Sequence, residues 1–212
     1  MRDGHLDLGS APALAAIVLA GGRGRRLGGV DKPMVAVGGV PMLARVVSAL
    51  MEGGAAPIVV VGPVREGMPA GVRVVREEPA GGGPAAAVGA GIGEVAAGGR
   101  GGPPGVGGLG LVAVVAADLP FLSGRAVRVL VDAVGERDGA LFVDGDGRRQ
   151  LLCGVWRVAA LVEAVGQMER LEGASLRRLV GGLDVAEVAW AGERPPYFDC
   201  DTEDDLRRVG RA

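Results

Sequence analysis

The chain has 212 residues, of which 49% are hydrophobic and 23% are charged, and its formal net charge is −2. This length and composition are typical of one soluble α/β domain. The near-neutral charge and an aromatic content of 3% argue against a nucleic-acid-binding protein, which needs a basic surface or a platform of aromatic rings.

Cysteine- or histidine-based metal sites, histidine-based catalysis and membrane insertion lack the residues that they require. Cys153 and Cys200 are far apart and match no metal-ligand spacing, so we expect reduced, buried thiols in a cytosolic protein. The single histidine, His5, leaves no material for a triad or a zinc site. No uncharged apolar stretch reaches the length of about 18 residues that spans a bilayer. The apolar run 11–20 has no basic region before it, as a signal peptide would. We therefore expect a cytoplasmic protein without a membrane partner.

Glycine and arginine are strongly over-represented. The chain contains 40 glycines, and Lys32 is the only lysine among 23 basic side chains. This bias makes chance glycine motifs common, whereas a single lysine in a chain that otherwise uses arginine is more informative than usual.

Hydrophobic periodicity predicts strands and helices that alternate along one domain, residues 14–212, after a flexible tail, residues 1–13. In chain order we predict strand 15–20, helix 41–51, strands 57–61 and 72–75, helix 84–97, an exposed and partly disordered glycine- and proline-rich loop 98–110, strand 111–117, helix 124–134, strands 140–143 and 151–156, helices 158–168 and 174–180, strand 185–190, and a last helix that begins at Thr202 within a Thr-x-x-Asp capping sequence.

This alternation predicts a three-layer αβα sandwich, in which helices cover both faces of a mostly parallel, Rossmann-like sheet. Ligands of such sheets bind at the carboxyl ends of the strands. The loops after Ala20, Val61, Val75 and Ala117 are therefore the places where we expect chemistry.

The first of these loops has the composition of a phosphate-binding loop. It contains AGGRGRRLGGVDK, residues 20–32. Glycines let the backbone approach a phosphate closely, and free N–H groups can form an anion-binding nest. Arg23, Arg25 and Arg26 can donate bidentate hydrogen bonds, and Lys32 can neutralise charge on a transferring phosphoryl group. The alternative is a glycine-rich turn with solvated arginines.

Two other phosphate motifs are absent. The sequence contains no GxxxxGK[ST] string, and Leu27 occupies the third glycine position of the dinucleotide fingerprint. A P-loop NTPase and a Rossmann oxidoreductase are therefore disfavoured.

The string LAGGRGRRLGGVDKP, residues 19–33, resembles the signature of the GT-A-type nucleotidyltransferases. It is most similar to the molybdenum cofactor guanylyltransferase family, whose loop has the pattern LAGG-x-G-x-R-(M/L)-G-G-x-DK. The resemblance implies a nucleotide-diphospho-sugar-transferase-like fold and phosphate contacts from Arg26 and Lys32. It also implies a loop that wraps the nucleotide, made by Leu19, Ala20, Gly21, Gly22, Arg23 and Gly24.

Asp118 is the strongest candidate for a metal ligand. It follows the most apolar predicted strand, in AADLPF, residues 116–121, where a carboxylate would point into the crevice and suit Mg²⁺. The segment resembles the family's metal-binding (C/A)D-x-P-F sequence. The alternative is a strand-end aspartate that caps a turn.

EEPAGGGP, residues 77–84, resembles the family's D-x-x-x-G-GPLAG stretch, which holds the base and the ribose. By this resemblance we assign Glu78, Gly83 and Pro84 to the nucleotide, with Glu77 as an alternative to Glu78. An acidic turn before a helix would have the same sequence pattern.

Two later segments resemble the family's substrate side. Gln150, in RQLLCGVW, is a candidate contact to the pterin, unless it only closes a turn. FDCDTEDDL, residues 198–206, is similar to the family's N-x-N-T-P-E-D-L, with aspartates in place of both asparagines and Glu203 in place of the proline. We assign Asp199 to the metal and Asp201 to the substrate side, although both could simply cap the last helix.

The resemblance implies a reaction in which GTP and molybdopterin give the guanine dinucleotide cofactor and pyrophosphate, with Mg²⁺ bound at Asp118. Molybdoenzymes or cofactor chaperones would then be partners. Two alternatives stay open: a cytidylyl- or uridylyltransferase that acts on another phosphate, and a non-catalytic nucleotide-binding module.

Overall fold

A computed structural model describes residues 13–21, 31–101, 109–200 and 202–210. The strands are β1 (Ala13–Leu19), β2 (Ala36–Val37), β3 (Val40–Pro41), β4 (Ala55–Val61), β5 (Val72–Val75), β6 (Leu109–Ala116), β7 (Gly139–Val143), β8 (Arg149–Arg157) and β9 (Val185–Ala189). The helices are α1 (Met42–Glu52), α2 (Pro84–Gly101), α3 (Gly124–Val134), α4 (Val158–Gly166), α5 (Leu176–Leu179) and α6 (Glu203–Gly210), and a 3-10 turn covers Lys32–Met34.

The core of the fold is a seven-stranded sheet with the order β5-β4-β1-β6-β8-β7-β9. Every pair in it is parallel except those that β8 makes with β6 and β7. The prediction of a mostly parallel α/β sheet is therefore confirmed. Because β8 runs against both neighbours, β7 and β9 still end at the same edge as β1 and β6.

Helices cover both faces of the sheet, as the predicted three-layer arrangement requires. Along β1, Ala16 and Val18 pack with residues of α1 and α3, whereas Ala15 and Ile17 pack with residues of α2 and α4. Successive side chains of a strand point to opposite faces, so a strand covered on both sides needs an unbroken apolar run. That requirement explains the sequence ALAAIVL of β1.

The last helix, α6, packs against β2 and the start of α1. Val209 of α6 and Cys200 join Val37 of β2 and Met42 of α1 in a third apolar cluster. The predicted capping sequence at Thr202 is confirmed, because its hydroxyl accepts from the N–H of Asp205 at 3.1 Å and donates to the Asp205 carboxylate at 2.7 Å.

The main correction concerns the loop predicted over residues 98–110. Helix α2 continues to Gly101 and β6 begins at Leu109, so both ends of that range belong to regular elements, and residues 102–108 lie outside the described part. At Gly98 a Cβ atom would come within 2.7 Å of Nη1 of Arg73. Gly98 therefore lies in a helix beside the exposed end of the Arg73 side chain of β5, which glycine composition alone did not predict.

Three smaller differences concern short elements. Ala13, assigned to the tail, is the first residue of β1, and residues 1–12 lie outside the described part. The helix predicted at 174–180 is the single turn α5. The hairpin of β2 and β3 was not predicted, because two-residue strands are too short to show periodicity. No helix in the described residues is long and apolar enough to cross a membrane.

We expect Leu161→Ala to lower the free energy of unfolding by about 2–5 kcal/mol, because it opens a cavity under α4. Leu161 is 1% exposed and lies in the cluster that joins α4 to the sheet. Its neighbour Val162 is 43% exposed, so Val162→Ala is the matched control and should change stability by less than about 0.5 kcal/mol. Urea unfolding measures both, and equal losses would contradict this packing.

Candidate functional site

The residues that follow β1, β4, β5 and β6 form one edge of the sheet. Backbone bonds continue past the strand ends, from the N–H of Ala20 to the Val61 carbonyl at 2.9 Å and from the N–H of Ala117 to the Leu19 carbonyl at 3.1 Å. The N–H of Gly62 donates to the Val75 carbonyl at 2.9 Å. The starting points of the four loops predicted to carry chemistry therefore lie side by side.

Lys32 and Asp118 meet at this edge. Nζ of Lys32 lies 3.2 Å from Oδ2 of Asp118, and the two side chains are 17% and 20% exposed. Lys32 opens the 3-10 turn whose next residue, Pro33, is buried, so its backbone is anchored. Both side chains are therefore partly accessible at this edge of the sheet.

The segment before α6 places further carboxylates beside this pair. The N–H of Cys200 donates to the carbonyl of Asp118 at 3.3 Å, so Asp199 is brought next to the strand end. Burial is the largest of the causes that together raise the pKa of the Cys200 thiol to about 11. The negative charges of Asp205, Asp118 and Asp199 act in the same direction, and the ammonium of Lys32 opposes them.

Both cysteines are free and buried, as predicted. Burial raises the pKa of the Cys153 thiol to about 12. Cys153 and Cys200 are therefore neutral thiols near pH 7 and have neither the charge nor the access of a nucleophile.

The carboxylates at this edge fit a divalent cation whose coordination is completed by oxygens of the substrate. Within the described residues, no three His, Cys, Asp or Glu side chains form a group that could hold a metal ion. Mg²⁺, however, is usually bound by one or two carboxylates together with phosphate oxygens and waters. Asp118 and Asp199 could provide those carboxylates. Asp201, assigned to the substrate side, lies outside the described residues.

The two adjacent glutamates after β5 occupy different environments. Glu77 is 7% exposed, and its Oε1 accepts from the N–H of Gly81 at 2.9 Å. A Cβ atom on Gly21 would lie 3.7 Å from the same Oε1. Oε2 of Glu77 is buried and has no hydrogen-bond partner among the described residues, whereas Glu78 is exposed. Glu77 therefore lies against the end of the chain after β1, whereas Glu78, the residue assigned to the nucleotide, is exposed.

The remaining predicted residues differ in how closely they approach the site. Gly83 and Pro84 lie at the start of α2, where the Gly83 carbonyl accepts the N–H of Ala87 at 3.0 Å. Gln150 donates to Oδ2 of Asp144 at 3.0 Å, so its side chain serves the turn between β7 and β8, the structural alternative noted above. Besides Asp201, five predicted residues lie outside the described part: Gly22, Arg23, Gly24, Arg25 and Arg26.

Two residues after β4, Gly62 and Arg65, were not predicted, although their loop was expected to carry chemistry. Arg65 contacts both Asp31 and the carbonyl of Ala20. Gly62 has a φ of 156°, and a Cβ atom there would lie 2.8 Å from the Ala20 oxygen and 3.1 Å from the Gly21 nitrogen. Position directly after a buried strand is the only signal that could have singled them out.

Comparison with known sequences identifies one matching family model and relatives whose names agree with it. A family model described as MobA-like NTP transferase domain matches residues 16–187. A probable molybdenum cofactor guanylyltransferase from Mycobacterium avium (strain 104) is 29% identical over 201 residues, which cover 94% of this chain and 96% of that protein.

Solved structures with the same fold come from more than one branch of nucleotidyl transfer. Molybdopterin-guanine dinucleotide biosynthesis protein A from Archaeoglobus fulgidus aligns with a TM-score of 0.67 at 19% identity, covering 93% of this chain and 97% of that one. A manganese complex of a Mycobacterium tuberculosis H37Rv protein aligns with a TM-score of 0.65 at 20% identity, covering 94% and 99%. The 4-diphosphocytidyl-2C-methyl-D-erythritol synthase from Anaerococcus prevotii aligns with a TM-score of 0.64 at 12% identity, covering 95% and 96%. At these identities the likeness shows a shared fold.

We expect Gly62→Ala to lower the free energy of unfolding by about 1–3 kcal/mol, because the new Cβ must push the end of β1 away and adopt a disfavoured backbone conformation. Gly93 in α2 is the matched control, since a Cβ there meets nothing within 4 Å. Gly93→Ala should be neutral or stabilising by up to about 1 kcal/mol. Urea denaturation measures both, and a neutral Gly62→Ala would contradict the close approach.

Proposed function

We propose that this chain, which belongs to the MobA-like NTP transferase family, transfers GMP from GTP to the terminal phosphate of molybdopterin and releases pyrophosphate. The observation that carries the proposal is the pair of Lys32 and Asp118, 3.2 Å apart, at the carboxyl edge of a parallel sheet. A relative that aligns with most of the chain is named a probable molybdenum cofactor guanylyltransferase. This name supports GTP and molybdopterin as substrates.

The chemistry is an in-line displacement at phosphorus. An oxygen of the acceptor phosphate forms a bond to the α-phosphorus of GTP, and the bond from that phosphorus to the α–β bridging oxygen breaks. The electron pair leaves with pyrophosphate. No covalent enzyme intermediate is needed, since positioning and charge stabilisation are sufficient for phosphoryl-type transfer.

Lys32, Asp118 and Asp199 would each have a separate role in this displacement. The ammonium of Lys32 would stabilise the charge that develops on the leaving pyrophosphate. Asp118 orients Lys32 and, with Asp199, would hold a divalent cation such as Mg²⁺, which would neutralise phosphate charge. The wrapping loop assigned to Leu19–Gly24 and the phosphate contact assigned to Arg26 remain parts of the proposal.

Glu77 is suited to the sugar or the base of the nucleotide. Its buried Oε2 receives no hydrogen bond from the part of the chain that the structure describes, and a buried carboxylate oxygen of this kind is stabilised by an N–H or O–H donor. Ribose hydroxyls and the N–H groups of guanine are both donors. Glu77 lies beside Gly21, on the loop assigned to the nucleotide, and this position supports a contact between its Oε2 and such a donor.

The decisive experiment is to incubate the purified chain with molybdopterin, Mg²⁺ and each of GTP, CTP, UTP and ATP in turn, and to measure pyrophosphate release and the dinucleotide formed. We expect GTP to be the preferred nucleotide. Preference for CTP or UTP would replace the proposal by the sibling activity. Nucleotide binding without turnover would replace it by a non-catalytic module.

The control for this experiment is Asp118→Asn, which keeps the shape of the side chain and removes its charge. We expect pyrophosphate release to fall at least about a hundredfold, as it does when one electrostatic group of a transfer site is removed. Circular dichroism should show an unchanged fold. Retained turnover in this variant would remove Asp118 from the site.

The two glutamates provide a second, matched test. Glu77→Gln removes the charge of a buried group, so we expect the KM for GTP to rise about tenfold or more, the range for a hydrogen bond to a charged group. Glu78→Gln changes an exposed side chain and should alter KM less than about twofold. Steady-state kinetics measures both, and the opposite ranking would return the assignment to Glu78.

A further inference from the structure

Arg65 joins two parts of the chain that flank the phosphate-loop segment. Its Nε lies 2.6 Å from Oδ2 of Asp31, and its Nη2 lies 2.8 Å from Oδ1 of the same carboxylate. Nη2 also donates to the carbonyl of Ala20 at 2.7 Å. Ala20 directly follows β1, the described chain continues there to Gly21, and Asp31 precedes Lys32. One guanidinium therefore binds both sides of residues 22–30.

The surroundings of Arg65 hold it in this place. Its side chain is only 8% exposed, and Nη1 donates to the carbonyl of Pro63 at 3.2 Å. Gly62 lets the loop after β4 lie against the end of β1, because it has no Cβ to meet the Ala20 oxygen. The bidentate pair with Asp31 is the geometry that Arg makes and Lys cannot reproduce.

We propose that Arg65 is a positioning residue for the nucleotidyl transfer, which sets the place of Lys32 by clamping Asp31 and keeps the Asp31 charge away from the nucleotide phosphates. The inference rests on the proposed function. Arg65 itself donates to protein acceptors through all three of its nitrogens, so it acts through Asp31 and Lys32 rather than by contact with substrate.

The physical reason lies in the charge next to Lys32. The Asp31 side chain is 49% exposed and would, without a partner, put a negative charge beside a lysine that must bind a polyanion. It would also be free to compete with Asp118 for the ammonium. Arg65 removes both effects, since it engages both oxygens of the carboxylate.

The test is Arg65→Met in the full chain, assayed for kcat, KM and nucleotide affinity with the nucleotide that the wild-type chain uses. Because the ammonium of Lys32 serves the transition state, we expect kcat to fall between about tenfold and a hundredfold, as for a small misplacement of a reacting group. Nucleotide Kd should change less than about threefold. Arg65→Lys should recover little, since it cannot form the bidentate pair.

Two comparisons separate this role from a structural one. In the Asp31→Asn background, Arg65→Met should lower kcat by no more than about twofold further, because coupled residues have non-additive effects. Arg128→Met is the matched control, since Arg128 also donates to a backbone carbonyl, that of Glu52 at 2.6 Å, and lies on α3. It should leave kcat unchanged.

The outcomes distinguish the possible failures. Equal losses from Arg65→Met in both backgrounds, or an unchanged kcat, would overturn the inference. If Arg65→Met does not fold by circular dichroism, Asp31→Asn alone carries the test, because it keeps the Ala20 contact and must still lower kcat. A wild-type chain that uses a nucleotide other than GTP would overturn the proposed function and leave this inference to be measured with that nucleotide.

Discussion

The site depends on one ion pair between residues that lie 86 positions apart, Lys32 and Asp118. An ammonium and a carboxylate at 3.2 Å attract each other strongly only where water is partly excluded. The sheet provides that exclusion, because β1 and β6 are neighbours and their loops leave the same edge. The parallel order of the strands is thus what turns two distant polar residues into one site.

The sequence predicted the parts of the fold that are governed by long, regular patterns. The bounds of α3 agree with the prediction, because its apolar face is clear and Ser123 caps its N-terminus by accepting from the N–H of Ala126 at 3.2 Å. The adjacent glutamates show the limit of such patterns. Which of Glu77 and Glu78 turns inward depends on the turn that follows β5, and residue type does not determine this.

Arg65 shows a second limit. Its partners are 34 and 45 positions away in sequence, so no local motif contains the contact. Its loop could be marked as important from its position after a buried strand, but its role required the actual path of the chain. Gly98 shows that glycine content does not by itself predict a loop, since this residue was assigned to a loop but lies in helix α2, close to Arg73.

The order of the strands also divides the sheet into two parts, of which one carries the residues of the candidate site. The half formed by β5, β4, β1 and β6 carries the lysine, Asp118 and Glu77, and its loops are locked together by backbone bonds and by Arg65. Within the sheet, the half formed by β8, β7 and β9 is joined to the first half by one antiparallel strand pair, β6 with β8. The two halves also meet outside the sheet, because the N–H of Gly173, between α4 and α5, donates to the carbonyl of Gly82 at 2.7 Å. A change in the length of the segment after α4 would therefore shift the glycine turn that follows Glu77.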